Sequence, residues 1–416
     1  MDFNYNQVKT HRQKTAHKYL LTTHSLNSIV NLFVTTFLVA HIYTFSTDLY
    51  NYLFNVSIYS IAYYLGYGIL YLLFSFIVEK TNRIIIYKIS IVVKTALVIF
   101  FIFFGQDLAK LLVLAGLMIA IGDGMYYSSY SVIRQEMVSR TISNSFSYLF
   151  FIFSKIIEIV CPVVLGALID VITFSYTAII VLVVCVFQLI FASFIKSLRP
   201  EGSNFGLIEY VKLLKEKKDV RKRLGIMYFI AAIYGVHYLA VTLLNVCIMI
   251  EYSSSFSLGI ITSAISVGTI IVMLLMEKFT KSGKRSWLFV VCAVIPIIAG
   301  IVFAIDFNKV ALIVLNAILL LTTIVHQVLY DAHRNSSLKE LGMYDDIAEH
   351  HAIIESFSGI SRAICYAITI LIASFGSFEA FKIFILVTIA LCAVIHFSLL
   401  VYEKKYHDLP KNEDAK

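Results

Sequence analysis

Charged residues are scarce in this sequence. Only 14% of its 416 residues are Asp, Glu, Lys or Arg, against about 25% in typical soluble proteins, while 59% are apolar. A water-soluble globule of this composition would lack the polar groups needed to cover its surface. The scarcity excludes a soluble enzyme, a nucleic-acid-binding domain and a disordered chain. It predicts a membrane protein that crosses the bilayer several times.

Other features that the sequence lacks limit the reactions and cofactors that we predict for it. The six cysteines all lie in apolar runs and form neither a CxxC pair nor a Cys/His set at metal spacing, so we predict no disulfide framework and no metal site. The sequence has no nucleotide-binding loop and no nucleophile–base pair, so we predict no cofactor, no ATP hydrolysis and no enzymatic activity. The first eighteen residues are polar and basic, which argues against a removable signal peptide.

Long apolar runs account for most of the chain. A helix needs about 20 apolar residues to cross a bilayer. Twelve runs meet this requirement, at 22–47, 51–78, 83–105, 109–133, 143–170, 173–196, 224–249, 254–276, 286–306, 309–333, 348–375 and 377–402. The sequence therefore predicts an all-α membrane protein of twelve transmembrane helices. We predict that the chain consists of a first half at 1–196, a basic linker at 197–223, a second half at 224–402 and a tail at 403–416.

The basic residues predict the orientation. Of 34 Lys and Arg residues, three fall in the loops opposite the termini and most of the others lie on the side of the termini. The remaining three, Lys94, Lys155 and Arg362, fall within spans. Because cytoplasmic loops are enriched in Lys and Arg, both termini are predicted to be cytoplasmic. The short loops favour a bacterial plasma membrane, and we expect a monomer.

The linker contains an amphipathic stretch. Phe205, Ile208, Val211 and Leu214 recur at helical spacing among lysines. We predict a surface helix over about 204–219 whose lysines meet anionic lipids of the inner leaflet. A flexible basic linker is the alternative.

The two halves carry related features, which indicates an internal repeat. Glu79-Lys80 ends the second span and Glu277-Lys278 ends the eighth, each before a short basic turn, at an offset of 198. The motif around Glu79, Lys80 and Arg83 resembles the G-x-x-x-[DE]-[RK]-x-G-[RK]-[RK] motif of the major facilitator superfamily, the twelve-helix secondary transporters. Ser75 and Asn82 replace the two glycines. The resemblance implies two pseudo-symmetric six-helix bundles.

The resemblance also implies where the solute binds. In this superfamily helices 1, 4, 7 and 10 line a central cavity. All four spans carry polar and aromatic stripes at helical spacing. The substrate-binding candidates from these stripes are Asn27, Asn31, Tyr126, Tyr127, Tyr130, Tyr234, Tyr238, His326 and Tyr330. In the fifth span, Pro162 and Gly166 match part of an exporter motif, which favours export.

Two cations occupy matching positions in the two halves. Lys155 lies in span 5 and Arg362 in span 11, and a pseudo-two-fold axis would place them on opposite walls of one cavity. There they could bind a phosphate or carboxylate of the substrate. The alternative is structural pairing, of Lys155 with Glu158 one turn away and of Arg362 with Asp123 or another span.

Proton-coupling candidates follow from ionisable groups at membrane depth, which are costly unless they are paired, hydrated or functional. Asp123 comes first, because it lies mid-span between two glycines. The rivals are Glu158, Glu355, His237 and His326. Conformational gating is predicted for the basic turns and for the inner end of span 10, at Glu79, Lys80, Arg83, Glu277, Lys278, Asp331 and Arg334.

Together these features predict a secondary active transporter that moves a small organic solute by alternating access, as proton-coupled export. One alternative is a flippase or a transporter of a lipid-linked or anionic amphipathic substrate. Another is a non-transporting membrane sensor or assembly factor that has kept the fold.

Overall fold

A computed structural model describes residues 11–137, 143–195, 206–281, 285–343, 346–375 and 377–406, and these residues are almost entirely helical. The helices are α1 (His11–Leu32), α2 (Leu38–Thr44), α3 (Leu49–Lys80), α4 (Arg83–Phe104), α5 (Leu112–Met137), α6 (Ser143–Ser193), α7 (Leu207–Glu216), α8 (Lys218–Tyr252), α9 (Ser255–Lys281), α10 (Arg285–Ile305), α11 (Lys309–Glu340), α12 (Ile347–Ser374) and α13 (Phe378–Tyr406). A π-helical turn, Phe33–Phe37, joins α1 to α2, so the two form one continuous span.

Among the described residues, eleven stretches are long and apolar enough to cross a membrane, where the sequence predicted twelve. The difference lies in α6, whose 51 residues cover both predicted spans 143–170 and 173–196. Thr173 has φ 74° and ψ 163°, which interrupts the helical backbone where the sequence placed the boundary. A β-branched residue rarely adopts positive φ, so the packing around Thr173 must stabilise this break.

Polar side chains cap the N-terminal ends of α3 and α11. The Asp48 carboxylate accepts a hydrogen bond of 2.8 Å from the Asn51 N–H, and Asn308 caps α11 through the Ala311 N–H at 2.8 Å. These side chains satisfy N–H groups that have no partner within their own helix. The Asn51 N–H also holds the pKa of Asp48 below its ordinary value, because it stabilises the ionised carboxylate.

Two close helix crossings join the first half of the chain to the second. On α3 and α12, Gly68 and Gly359 face each other so closely that a Cβ built at Gly359 would lie 2.8 Å from the Gly68 Cα. On α6 and α9, Gly166 and Gly259 each meet the backbone of the opposite helix. Small residues let membrane helices approach until their backbones touch. The seams therefore lie along α3–α12 and α6–α9.

A carboxylate strengthens the α6–α9 seam. Asp170 accepts hydrogen bonds from Ser254 Oγ at 2.7 Å and from the N–H groups of Ser255 and Phe256 at 3.0 Å each. These groups form the first turn of α9, so a residue of one half caps a helix of the other half. At the same end of the molecule, Tyr43 OH lies 3.0 Å from Ser253 Oγ.

The predicted amphipathic helix is present as α7, but its apolar face packs against protein. Leu207 and Tyr210 are buried, and Tyr210 OH is hydrogen bonded to Tyr228 at 2.9 Å and to His350 Nδ1 at 2.9 Å. Burial raises the pKa of the Tyr210 phenol. The helix is shorter than predicted because α8 already begins at Lys218. The sequence predicted a helix here but not its buried face, since Ile208, one of the predicted apolar residues, is 53% exposed whereas Leu207 and Tyr210 are buried. Phe205 lies outside the described residues.

Candidate functional site

A buried ion pair lies at the centre of the first half. Lys94 of α4 is paired with Asp123 of α5, and both side chains are at most 2% exposed. The Lys94 ammonium also donates hydrogen bonds to Asn27 Oδ1 at 2.8 Å and Asn31 Oδ1 at 2.9 Å. Gly122 makes room for the lysine, since a Cβ there would lie 2.9 Å from Lys94 Cγ. Asp123 therefore pairs with Lys94 and not with Arg362, which was the cation suggested from the sequence.

An aromatic stack extends this centre towards the first turns of α1 and the last turns of α5. The rings of His24, Tyr126 and Tyr130 are parallel within 10°, with centroids of His24 and Tyr130 4.0 Å apart. Its hydroxyl groups are bonded internally, because Tyr126 OH contacts His24 Nδ1 at 2.9 Å and Tyr87 OH at 3.2 Å. Tyr126 is fully buried, so it supports the ion pair from behind rather than forming an open wall.

A row of tyrosines on α3 connects the two halves. Tyr63 OH donates to Asp123 Oδ2 at 2.7 Å, and Tyr67 OH donates to Glu355 Oε2 of α12 at 3.1 Å. Tyr59, Tyr63, Tyr67 and Tyr71 recur every four residues. Side chains four residues apart share one helix face, so this spacing is a signal that sequence reasoning missed.

Arg362 of α12 lies in an aromatic cage. Its guanidinium carbon is 3.6 Å from the ring centroid of Tyr238 and 5.1 Å from that of Tyr64. The side chain is 8% exposed, its Nε has no hydrogen-bond partner, and no carboxylate among the described residues forms an ion pair with it. A guanidinium that stacks on aromatic faces keeps its N–H edge free to bind an anion.

The other predicted cation is engaged differently. Lys155 forms an ion pair with Glu158 one turn along α6, as the alternative reading of the sequence suggested. The lysine is 8% exposed and the glutamate 45% exposed. The two matched cations therefore have different surroundings, since Lys155 has a carboxylate partner whereas Arg362 has tyrosines.

The second half holds a cluster of imidazoles. The ring of Tyr234 stacks on His237 at 5.5 Å and on His326 at 5.2 Å, and His326 stacks on Tyr330 at 5.8 Å. His237 Nε2 is hydrogen bonded to Thr323 Oγ1. His396 of α13 meets the edge of His326 at 5.4 Å. His396 was not a candidate, because nothing in its own apolar span distinguishes it from a buried core histidine.

The two stacks lie at positions that match the internal repeat predicted from the sequence. An offset of 200 residues pairs Asp123 with Thr323, Tyr126 with His326 and Tyr130 with Tyr330. In each half the stack combines rings from two spans, α1 and α5 in the first half and α8 and α11 in the second. The first half thus holds an ion pair beside its stack, whereas the second half holds a cluster of histidines.

The predicted gating residues lie at several separate positions in the structure. Asp331 pairs with Arg334 at 2.9 Å within α11, and His333 Nε2 lies 2.6 Å from Glu403 of α13, so both contacts stay within the second half. Lys80 is exposed and Arg83 half-buried. The side chains of Glu79, Glu277 and Lys278 lie outside the described residues.

Comparison with known proteins assigns the family. The model of the Major Facilitator Superfamily matches residues 21–331, which is most of the chain. The chain belongs to the Major Facilitator Superfamily. The predicted family, secondary transporters, is therefore confirmed, and the chain is a multi-pass membrane protein with a transporter fold. No curated protein sequence matches it significantly.

Solved structures agree on the fold of this superfamily member. A POT family transporter in complex with 5-aminolevulinic acid has a TM-score of 0.70 at 13% identity, covering 94% of this chain and 96% of that one. The nucleoside transporter NupG gives 0.62 at 13%, covering 95% and 100%. The human organic anion transporter MFSD10 gives 0.63 at 11%, covering 93% and 99%.

Proposed function

We propose that this protein is a secondary active transporter of a small organic solute with an anionic group, coupled to protons through Asp123. The observation that carries the proposal is the buried Lys94–Asp123 pair. Two bundles of six helices, with both termini in the cytoplasm, rock about the α3–α12 and α6–α9 seams to expose the centre to either side in turn.

The pair provides the coupling. With Asp123 ionised, Lys94 is neutralised and the centre has no net charge. When Asp123 takes up a proton, Lys94 remains a buried cation whose other contacts are all with neutral groups, the amide oxygens of Asn27 and Asn31 and the rings of Tyr126 and Tyr127. A desolvated cation without a counter-ion is strongly unfavourable, so a substrate anion that enters at that moment is bound more tightly. Proton and anion therefore bind together.

Arg362 supplies the second contact for the anion. It lies on α12, across the α3 tyrosines from Asp123, in a cage without a carboxylate partner among the described residues. The substrate candidates Tyr127, Tyr234 and Tyr238 are half-buried and supply the surrounding wall. Lys155 has a smaller role in this scheme, because Glu158 already neutralises it.

Coupled binding of proton and anion favours co-transport, whereas the sequence predicted export by proton exchange. That prediction rested on Pro162 and Gly166, and both have a packing role: the Pro162 carbonyl and Gly166 face α9 in the seam. We retain the bacterial plasma membrane, a monomeric state and contact between the exposed lysines of α7 and anionic lipid as parts of the proposal.

The test is transport by purified protein in lipid vesicles that contain a pH-sensitive dye. An organic anion added outside should carry protons inwards with it, and imposing an acidic outside should accelerate anion uptake. Asp123→Asn should abolish proton movement. The matched control Glu158→Gln should retain it, because Glu158 is half-exposed and forms its ion pair with Lys155.

The outcomes separate the alternatives. Anion uptake without proton movement in the wild type would contradict the coupling role of Asp123. Proton movement in the direction opposite to the anion would restore exchange as the mechanism. A protein that moves neither anions nor neutral or cationic solutes across the bilayer would support the non-transporting sensor.

A further inference from the structure

We infer that the second half of the cavity binds a flat heteroaromatic ring of the transported anion, with His326 as the residue that recognises a polar atom of that ring. This inference rests on the proposed function, since it names the class of anion that the same cavity takes. The observation behind it is a difference between the two aromatic stacks.

The stack of the first half is closed by its own hydrogen bonds. His24 Nδ1 contacts Tyr126 OH at 2.9 Å, Tyr126 OH contacts Tyr87 OH at 3.2 Å, and Tyr87 OH contacts Thr23 Oγ1 at 2.7 Å. The polar edges of these rings therefore satisfy one another. Groups paired in this way belong to the packed interior, so the Tyr126 and Tyr87 hydroxyls and His24 Nδ1 are already used by one another.

The related stack of the second half is different. His326 is 3% exposed and His396 is 5% exposed, yet Nδ1 of each has no hydrogen-bond partner among the described residues. A buried polar atom without a partner is costly, so such atoms in a native protein usually have a function or a ligand. No hydrogen bond from the described part of the chain fixes Nδ1 of His326, and the ring can therefore turn one nitrogen towards the cavity.

An exposed polar side chain lies at one edge of the row formed by the Tyr234, His326 and Tyr330 rings. Gln327 is exposed and donates to Tyr234 OH at 3.1 Å. In a chain whose lipid-facing side chains are apolar, an exposed glutamine in mid-span faces a water-filled space. The stack therefore lies beneath a polar rim that a solute in the cavity reaches directly.

Arg362 lies at the other end of this row. Successive contacts of 3.6 Å, 5.4 Å and 5.2 Å lead from Arg362 to Tyr238, from Tyr238 to Tyr234 and from Tyr234 to His326. A molecule of one or two rings with a carboxylate fits this distance. Its carboxylate binds the guanidinium, its ring stacks on the tyrosines, and a ring heteroatom bonds to His326.

The test measures binding of three carboxylic acids of similar size, from the shift of the thermal unfolding midpoint with concentration. Nicotinate has a flat ring with a nitrogen, benzoate has a flat ring without one, and cyclohexanecarboxylate is not flat. We expect the Kd of benzoate to be about tenfold below that of cyclohexanecarboxylate, from stacking. We expect the Kd of nicotinate to be about fivefold lower again, from one hydrogen bond.

Two variants identify the residue responsible. His326→Phe keeps a ring in the stack but removes its nitrogens, so the advantage of nicotinate over benzoate should disappear while the advantage of benzoate remains. His41→Phe is the matched control. His41 stacks on Phe174 at 4.3 Å in the first half and should leave both ratios unchanged.

Each outcome has one meaning. If the three acids bind equally, the ring inference is wrong and the anion site stands. If the nicotinate advantage survives in His326→Phe, His326 is not the recognising residue and the inference is wrong. If none of the acids binds and Arg362→Gln changes nothing, the anionic substrate of the proposed function fails together with the ring.

Discussion

Replacing Lys94 by methionine should destabilise the protein far more than an ordinary substitution. Methionine keeps most of the side-chain volume but removes the ammonium group, which pairs with Asp123 and donates to Asn27 and Asn31. The change leaves one carboxylate and two amide oxygens unpaired in a site that is at most 2% exposed. Breaking one side of a buried ion pair costs about 3–5 kcal/mol.

The expected shift of the unfolding midpoint follows from chain length. Unfolding entropy is about 2.1 cal/mol/K per residue, so 416 residues give about 0.9 kcal/mol/K. A loss of about 3–5 kcal/mol then lowers the midpoint by about 3–6 °C.

The double variant Lys94→Met/Asp123→Asn is the decisive control. It removes both charges, and the introduced asparagine amide oxygen still accepts from Tyr63 OH, so the midpoint should return to within about 2 °C of the wild type. The assay is tryptophan and tyrosine fluorescence of the detergent-solubilised protein during heating. If the double variant is as unstable as the sum of the two single variants, the two side chains do not form a coupled pair and the reasoning fails.

Three further predictions concern the scaffold. Gly359→Ala should lower the unfolding midpoint and slow transport, because its Cβ would lie 2.8 Å from the Gly68 Cα, whereas Gly225→Ala, with nothing within 4 Å, should leave both unchanged or raise stability slightly. Asp170→Ala should speed hydrogen–deuterium exchange in the first turn of α9, and unchanged exchange would contradict the capping role. Tyr210→Phe should release α7, seen as faster tryptic cleavage within it; equal cleavage rates would show that apolar packing alone holds the helix.

Much of the helical framework could be predicted from the sequence, because crossing a bilayer imposes a long apolar run on each helix. The boundary between the two spans of α6 was predicted at the position where Thr173 breaks the helix. Local pairing was also predictable, as for Lys155 and Glu158, since residues three apart on a helix are neighbours by geometry.

Partners from different helices were not predictable in the same way. Asp123 was recognised as a buried carboxylate, yet Lys94 was identified only as a cation within a span. Their contact depends on the rotation of α4 and α5 about their axes, which a single sequence does not specify. The same limit applies to α7, since its amphipathic pattern predicted a helix but specified neither the face that is buried nor the protein surface that covers it.

The position of α3 explains how a charge change at one site can affect the other. Tyr63 bonds to Asp123, while the next residue, Tyr64, faces Arg362 across the seam between the halves. Four residues further on, Gly68 meets Gly359, which lies one turn from Arg362 on α12. In the proposed mechanism, a shift of Tyr63 on protonation of Asp123 moves a helix whose next side chain contacts the proposed anion site. Because backbones touch at this crossing, we expect side chains alone not to absorb the movement, so the proposal links the proton site and the solute site through α3.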